Sequence, residues 1–269
     1  MKAKRILALL LAAVLVVSLL PVMALADGEP AQVDGVYQIG TAAEMKWFAD
    51  AVNAEMEKEA GLVTMDAVLT ADIDLGGAEW TPIAGATAYV TYAYAGTFDG
   101  QGHSVTGLSV SGGSNLGLFG IVNGGTIKNV RVSGTVTGSS YVGGVVGKIQ
   151  TGTVENCSMS GSVTANAKTA YAGGIVGGFN AAGATVSGCV NTASVTGTNA
   201  GGILGQSTKK GTVEYCYNTG AISGTTREGG IAGQLSSGAI SYCYNVGTSA
   251  CGIAPGGDAR RPVAQVRAL

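Results

Sequence analysis

The chain has one histidine, five prolines, 6% aromatic residues and only 12% charged residues. Each scarcity removes a class of function. A lone histidine, His103, cannot make the His-Glu-x-x-His zinc site of a metallopeptidase, and no Cys-x-x-Cys pair is present to hold structural zinc. No metal site and no cofactor are therefore expected. A net charge of −2 offers no cationic excess to neutralise phosphates, which argues against nucleic acid as a partner. From residue 101 onward the acidic residues are Glu155, Glu214, Glu228 and Asp258. That is a thin supply for the two positioned carboxylates of glycoside hydrolysis. No apolar run after the first 26 residues is long enough to cross a bilayer.

Glycine is what the chain has in quantity, 45 residues of it. There is no Gly-X-Y period, so the composition is not that of collagen. Valine and isoleucine are spread evenly between the glycines, which argues against disorder.

The start of the chain reads as an export signal. Lys2, Lys4 and Arg5 precede an apolar run from Ile6 to Leu20, broken only by Ser18, and Ala24-Leu25-Ala26 has the form of a cleavage site. The alternative, an uncleaved anchor, is disfavoured because the run is short of the ~20 residues a span needs. Residues 1–26 are thus expected to be a signal peptide, and the mature chain to be secreted or displayed on the cell surface. Loss of three cations takes the net charge from −2 to −5.

The mature chain repeats itself. Aligned on the second glycine of each Gly-Gly pair, the copies start at Gly144, Gly174, Gly202 and Gly230, with a weaker copy at Gly117 in "LGLFG". Three short Val/Ile/Thr segments recur in each copy, separated by Gly, Asn and Ser, which is strand-and-turn chemistry. Frequent glycine disfavours helix. Three strands per period of about 28 residues predict one coil of a parallel β-solenoid, since a single copy cannot bury its own apolar face. The expected fold is all-β, a right-handed parallel β-helix of about 6–7 coils. A sandwich of hairpins, the rival, would not require the strict register.

Cys157, Cys189, Cys216 and Cys243 fall at one place in the repeat, where the first copy has Val130. A position that accepts Val or Cys is a small inward slot, so a stacked ladder of buried thiols is expected. A coil-to-coil disulfide is the alternative in an oxidising compartment, but stacked parallel side chains do not offer its dihedral geometry. Cys251 lies outside the ladder and is expected as a free thiol. Two residues past each ladder position stand Asn191, Asn218 and Asn245, with Val132 and Met159 in the earlier copies. They are expected to face inward and hydrogen-bond from coil to coil.

The N-terminal end differs in kind. Thr41 and Glu44 form a capping box, and Met45, Phe48, Val52 and Met56 follow at helical spacing. An amphipathic helix over about 42–58 is predicted, placed to cover the open solenoid end. Asp72 and Asp74 share a strand face and are read as solvent-facing turn carboxylates rather than a calcium or acid–base pair. His103, in "DGQGH", is read as a turn residue. The expected organisation is a signal peptide at 1–26, an N-terminal segment with the helix at 27–62, first coils at 63–116, repeats at 117–250 and an irregular tail at 251–269.

"GGVVGKIQTGTVENC", "GGIVGGFNAAGATVSGC" and "GGILGQSTKKGTVEYC" resemble the GLUG motif of bacterial surface proteins. "GTFDGQGHSVTGLSVSGGSNLGLFG" is similar to the non-catalytic N-terminal repeats of IgA-cleaving metallopeptidases. The leading "YQIGTAAEMKWFADAVN" is similar to what precedes such repeats in surface proteins of gut anaerobes. The resemblance implies extracellular display as an adhesin or spacer, and brings no catalytic residue with it.

The functional expectation is a non-catalytic binding module for an extracellular glycan or protein. Tyr215, Tyr217, Tyr242 and Tyr244 flank the ladder in the last two full coils and are the candidate ligand-binding residues. Tyrosine stacking that only firms up the rungs is the alternative role for them. A spacer within a larger surface protein is the alternative function. A polysaccharide-degrading β-helix enzyme, for which Glu155 and Glu214 stand two coils apart, is the weaker third.

Overall fold

The computed structural model describes residues 28–58, 61–85 and 92–249, and the backbone of Ala264–Gln265. The expected signal peptide, Cys251 and most of the tail lie outside the described residues.

The repeat builds a β-solenoid of about seven turns with three walls. Wall B carries the apolar step after each Gly-Gly pair, with strands Leu62–Val63, Ala93–Tyr94, Phe119–Val122, Val146–Ile149, Val176–Phe179, Leu204–Ser207 and Ala232–Leu235. Wall A follows in each coil, from Val36–Ile39 and Asp66–Leu69 through Thr97–Asp99, Thr126–Lys128, Gly152–Glu155, Ala184–Ser187 and Gly211–Glu214 to Ala239–Ser241. Wall C closes the coil with strands such as Ser104–Ser111, Arg131–Gly138, Ser158–Ala165, Ser194–Gly201 and Ile222–Gly229. Coil-to-coil pairing is parallel and in register, as in Ile127↔Val154, Val154↔Val186 and Val186↔Val213. Like residues therefore lie over like, and one core of Val, Ile, Phe and Cys runs through the solenoid.

The Gly-Gly signature has a steric cause. A Cβ on Gly202 would lie 2.2 Å from the Gly230 carbonyl oxygen and 2.4 Å from Asn218 Cγ. Gly174 stands the same way to Gly202 and Asn191, and Gly144 to Gly174 and Met159. The chain passes too close to the next coil and to the inward ladder for any side chain.

The helix, α1, spans Ala42–Lys58. Glu44 N–H donates to Thr41 Oγ1 at 3.2 Å, while the Glu44 carboxylate reaches the Gly40 N–H at 2.7 Å rather than that of Thr41. Its buried face is Met45, Phe48, Ala49, Val52 and Met56. Phe48 meets Tyr94 and Phe98 at centroid distances of 6.4 and 6.3 Å, so α1 closes the first coils' core.

Two features depart from expectation. A further short strand precedes the Gly-Gly pair in the middle coils, at Ser114–Leu116, Ser140–Gly143 and Tyr171–Gly173, and merges into the long wall C strand in the later ones. In the stretch expected to be irregular, Ala264–Gln265 pairs in parallel with Tyr244–Asn245. An open parallel edge has unpaired N–H and C=O groups, and a following segment can satisfy them. No helix among the described residues is long and apolar enough to cross a membrane.

Candidate functional site

Two walls are open to a ligand. Wall B is not one of them, because its outward side is covered. A Cβ on Gly177 would strike the Tyr141 backbone at 2.5 Å, and Ile121 is fully buried there. Lys148 lies in this layer with its Nζ 5.0 Å from the Tyr141 ring centroid, and burial pushes its ammonium below the usual lysine range. Tyr141 in turn stacks near Tyr171 at 5.0 Å and donates to Gln206 Oε1 at 3.2 Å. That cluster is a closed structural joint.

The corner between walls A and C is different. One residue per coil turns there with positive φ: Asn129 (56°), Asn156 (53°), Gly188 (63°), Tyr215 (53°) and Tyr242 (52°). Asn and Gly take this conformation readily. Tyrosine does so at a cost of about 1–2 kcal/mol. Yet Tyr215 and Tyr242 are 58% and 50% exposed, with rings stacked at 4.9 Å and 4°. Two residues on, Tyr217 and Tyr244 form a second stack at 5.0 Å and 4°. The centroid separations match the inter-strand spacing of about 4.8 Å, so the register itself imposes both stacks. None of the four phenol hydroxyls has a hydrogen-bond partner among the described residues. The result is a double platform of apolar ring faces with polar tips, running along the solenoid axis.

Between the two stacks the chain turns inward at the cysteines. Cys157, Cys189, Cys216 and Cys243 are buried and unbridged. Each thiol donates to the carbonyl two residues before it, at 3.1–3.3 Å. The Cys189 and Cys216 N–H groups donate to the sulfurs of Cys216 and Cys243, at 3.3 and 3.4 Å. Burial drives the Cys189 thiol well above its ordinary pKa. The bond with Cys216, then burial, drives Cys243 up as well. Hydrogen bonds with Cys189 and Cys243 instead lower the Cys216 thiol, but Cys216 is fully buried, so the ladder presents no accessible nucleophile.

Behind them Asn191, Asn218 and Asn245 point into the core. Asn191 Nδ2 donates to Asn218 Oδ1 and Asn218 Nδ2 to Asn245 Oδ1, both at 2.7 Å. Each also brackets its own turn. Asn218, for example, donates to the Gly220 carbonyl at 2.9 Å and accepts from the Gly220 N–H at 3.1 Å.

The remaining candidates do not converge on chemistry. Asp74 accepts from the Gly76 N–H at 2.9 Å, while Asp72 accepts from the Ser104 N–H at 2.8 Å. His103, read from the sequence as a turn residue, has Nδ1 3.3 Å from Asp72 Oδ1. The Ser104 hydrogen bonds, more than the imidazole, hold the Asp72 carboxyl below its usual range. Glu155 and Glu214 lie on wall A with Ser187 between them in register, about 10 Å apart by strand spacing. Among the described residues no group of three or more His, Cys, Asp or Glu side chains could hold a metal ion.

One element was not anticipated. A groove of about 390 Å³ runs along wall C beside the tyrosines, with Arg131 at one end and Tyr217 at the other. Arg131 was visible in the aligned repeats as the one cation in a column otherwise of Ser, Val and Tyr. Only the register shows that the column forms a groove.

The GLUG motif family model matches residues 138–164 and 196–223. Halomucin from Haloquadratum walsbyi is 32% identical over a match covering 42% of this chain, which spans 2% of halomucin's length. The crystal structure of a candidate immunoglobulin A1 protease from Bacteroides ovatus superposes with a TM-score of 0.56 at 20% identity, over 88% of this chain and 78% of that one. At that identity the likeness is one of fold. The chain is a β-solenoid with two stretches that match the GLUG motif.

Proposed function

We propose that this protein is an extracellular, non-catalytic binding module, an adhesin for glycan or protein ligands, and that the tyrosine platform at the A/C corner is its contact surface. The observation that carries the reading is the pair Tyr215 and Tyr242. Both are exposed and both hold a backbone conformation that favours Asn or Gly, which equivalent coils use. Strain kept where packing does not require it points to function. Exposed rings with unpartnered hydroxyls suit sugar faces and wet protein surfaces. The GLUG matches and the export-type start of the sequence support an extracellular setting.

The test uses purified 27–269 on a panel of mucins, polysaccharides and matrix proteins, scored together for retention and for new reducing ends. Retention without cleavage, lost on Tyr215→Ala/Tyr242→Ala, is expected. Retention untouched by those changes would sink the platform, and cleavage would sink the non-catalytic reading. A spacer role is the second reading. The match of this chain to a small stretch of a far longer protein, halomucin, supports it, and it would lead if nothing on the panel were retained.

A further inference from the structure

The groove and the second tyrosine stack lie on one line. Arg131, Ser158, Val190, Tyr217 and Tyr244 are register partners across successive coils of wall C. Three inter-strand steps separate Arg131 from Tyr217, about 14 Å at ~4.8 Å each, and the groove fills that interval. Its polar floor comes from the hydroxyls of Ser158, Ser160 and Thr192, and no acidic side chain lines it. Wall A keeps Glu155 and Glu214 on the other side of the corner. At the corner itself Gly188 carries no side chain, and the Asn156 amide fills the space where one would stand.

Arg131 is fixed at the head of this groove. Its Nη1 donates to the Gly102 carbonyl, and its backbone N–H donates to the His103 carbonyl at 3.1 Å. A guanidinium has five donors, and the Gly102 contact engages one edge of the fork. What remains is exposed at the groove's head and available for charge-assisted pairing with a planar anion.

We infer that the groove takes an acidic oligosaccharide lying along the solenoid axis, with its carboxylate or sulfate on Arg131 and a sugar ring against the Tyr217–Tyr244 stack. This rests on the binding-module reading and narrows it to a ligand class. A cation at one end, hydroxyls between and a ring platform at the other end match an acid group, a chain of hydroxyls and an apolar sugar face, in that order. A protein partner would need a contact of roughly 1,000 Å² with an apolar centre, and the hydroxyl-floored groove does not provide one. The net charge, −2 for the full sequence and −5 without Lys2, Lys4 and Arg5, attracts no anion at long range, so selectivity for acid must come from Arg131 itself.

The experiment is calorimetric titration of 27–269 with a galacturonic acid hexasaccharide, its methyl ester, and a kappa-carrageenan hexasaccharide, which carries sulfate and no carboxylate. The acid is expected to bind about tenfold more tightly than the ester, the scale of one charge-assisted pair. Arg131→Gln should bring acid and ester level, Arg131→Lys should keep part of the preference, and Tyr217→Ala should weaken both sugars alike. The sulfated oligomer tells whether the anion must be a planar carboxylate. Thermal unfolding of each variant guards against misfolding. Equal binding of acid and ester, or a preference that survives Arg131→Gln, overturns the inference while leaving the binding module standing. No binding of either acidic oligomer, with other panel ligands retained, overturns it in the same way. If the panel retains nothing, both fall together.

Discussion

Asn191 donates to Asn218 across 27 residues of sequence at 2.7 Å, in a core with no water-facing side. Asn218 repeats the bond to Asn245 and brackets the Gly220 turn with two more. Asn218→Ala would strand Asn191 and both Gly220 backbone groups. Each stranded buried group costs about 1–3 kcal/mol, so a loss of about 3 kcal/mol or more is expected in urea unfolding. Asn245→Ala also frees its Gly247 turn, but it has one ladder neighbour instead of two and the Gly247 N–H keeps the Asn218 carbonyl at 3.3 Å, so it should cost less. Neither change should alter ligand retention once the protein is folded.

Gly202→Ala should be among the most damaging single-methyl changes. The added Cβ meets the Gly230 carbonyl oxygen and Asn218 at 2.2–2.4 Å, and neither can retreat without moving a coil. A loss of about 3 kcal/mol, or failure to fold, is expected from overpacking. Gly113→Ala, with nothing within 4 Å, should be neutral or stabilise by up to ~1 kcal/mol through the unfolded chain. Paired melts would decide it, and equal effects at the two sites would contradict the packing account.

Tyr215→Asn/Tyr242→Asn separates fold from function. Asn occupies the same positive-φ corner at Asn129 and Asn156. Relief of about 1–2 kcal/mol of strain per residue opposes the loss of ring stacking worth about 0.5–1.5 kcal/mol. Stability should hold or rise, while ligand retention falls. A large loss of stability would mean that the tyrosines serve the rungs instead.

The cysteine ladder should be silent. Thiol reagents are expected to miss Cys157, Cys189, Cys216 and Cys243 in the native protein and label them in denaturant, with no mass deficit from disulfides. Cys189→Val should cost less than about 1.5 kcal/mol, the tolerance for swaps of similar volume, because Val130 already fills the same slot two coils back. Native labelling or bridged masses would contradict this.

Acid should loosen the corner next to Asp99. Burial raises its pKa, but hydrogen bonds from Asn129 and the Gln101 N–H, with Lys128 3.5 Å away, outweigh that and leave it below 3.8. A depressed carboxyl stabilises the fold above its unfolded value, and the contribution is lost as pH falls through the lower folded value. Asp99→Asn should therefore narrow the stability difference between about pH 5 and pH 2.5, read by urea midpoints. An unchanged difference would show that the corner bonds do not favour the ionised form.

Spacing alone made the solenoid legible. The step of about 28 residues, the Val-or-Cys slot, the Asn column and the helical run from Met45 to Met56 each depend on local chain chemistry that repeats, and in-register stacking turns a repeat in sequence into a column in space. The tyrosine pairs were legible for the same reason. What tertiary structure alone decided is which walls remain open, and what stands beside the tyrosines. The strand before each Gly-Gly pair folds over wall B and removes it as a binding face, a contact between coils that no single repeat encodes. Arg131 becomes the head of a groove only because Ser158 and Val190 fall beneath it in register with Tyr217. Asp72 and His103, 31 residues apart, meet through the same pairing of coils. Periodicity fixes what lies above what, but only the folded path of the chain fixes which columns share a surface.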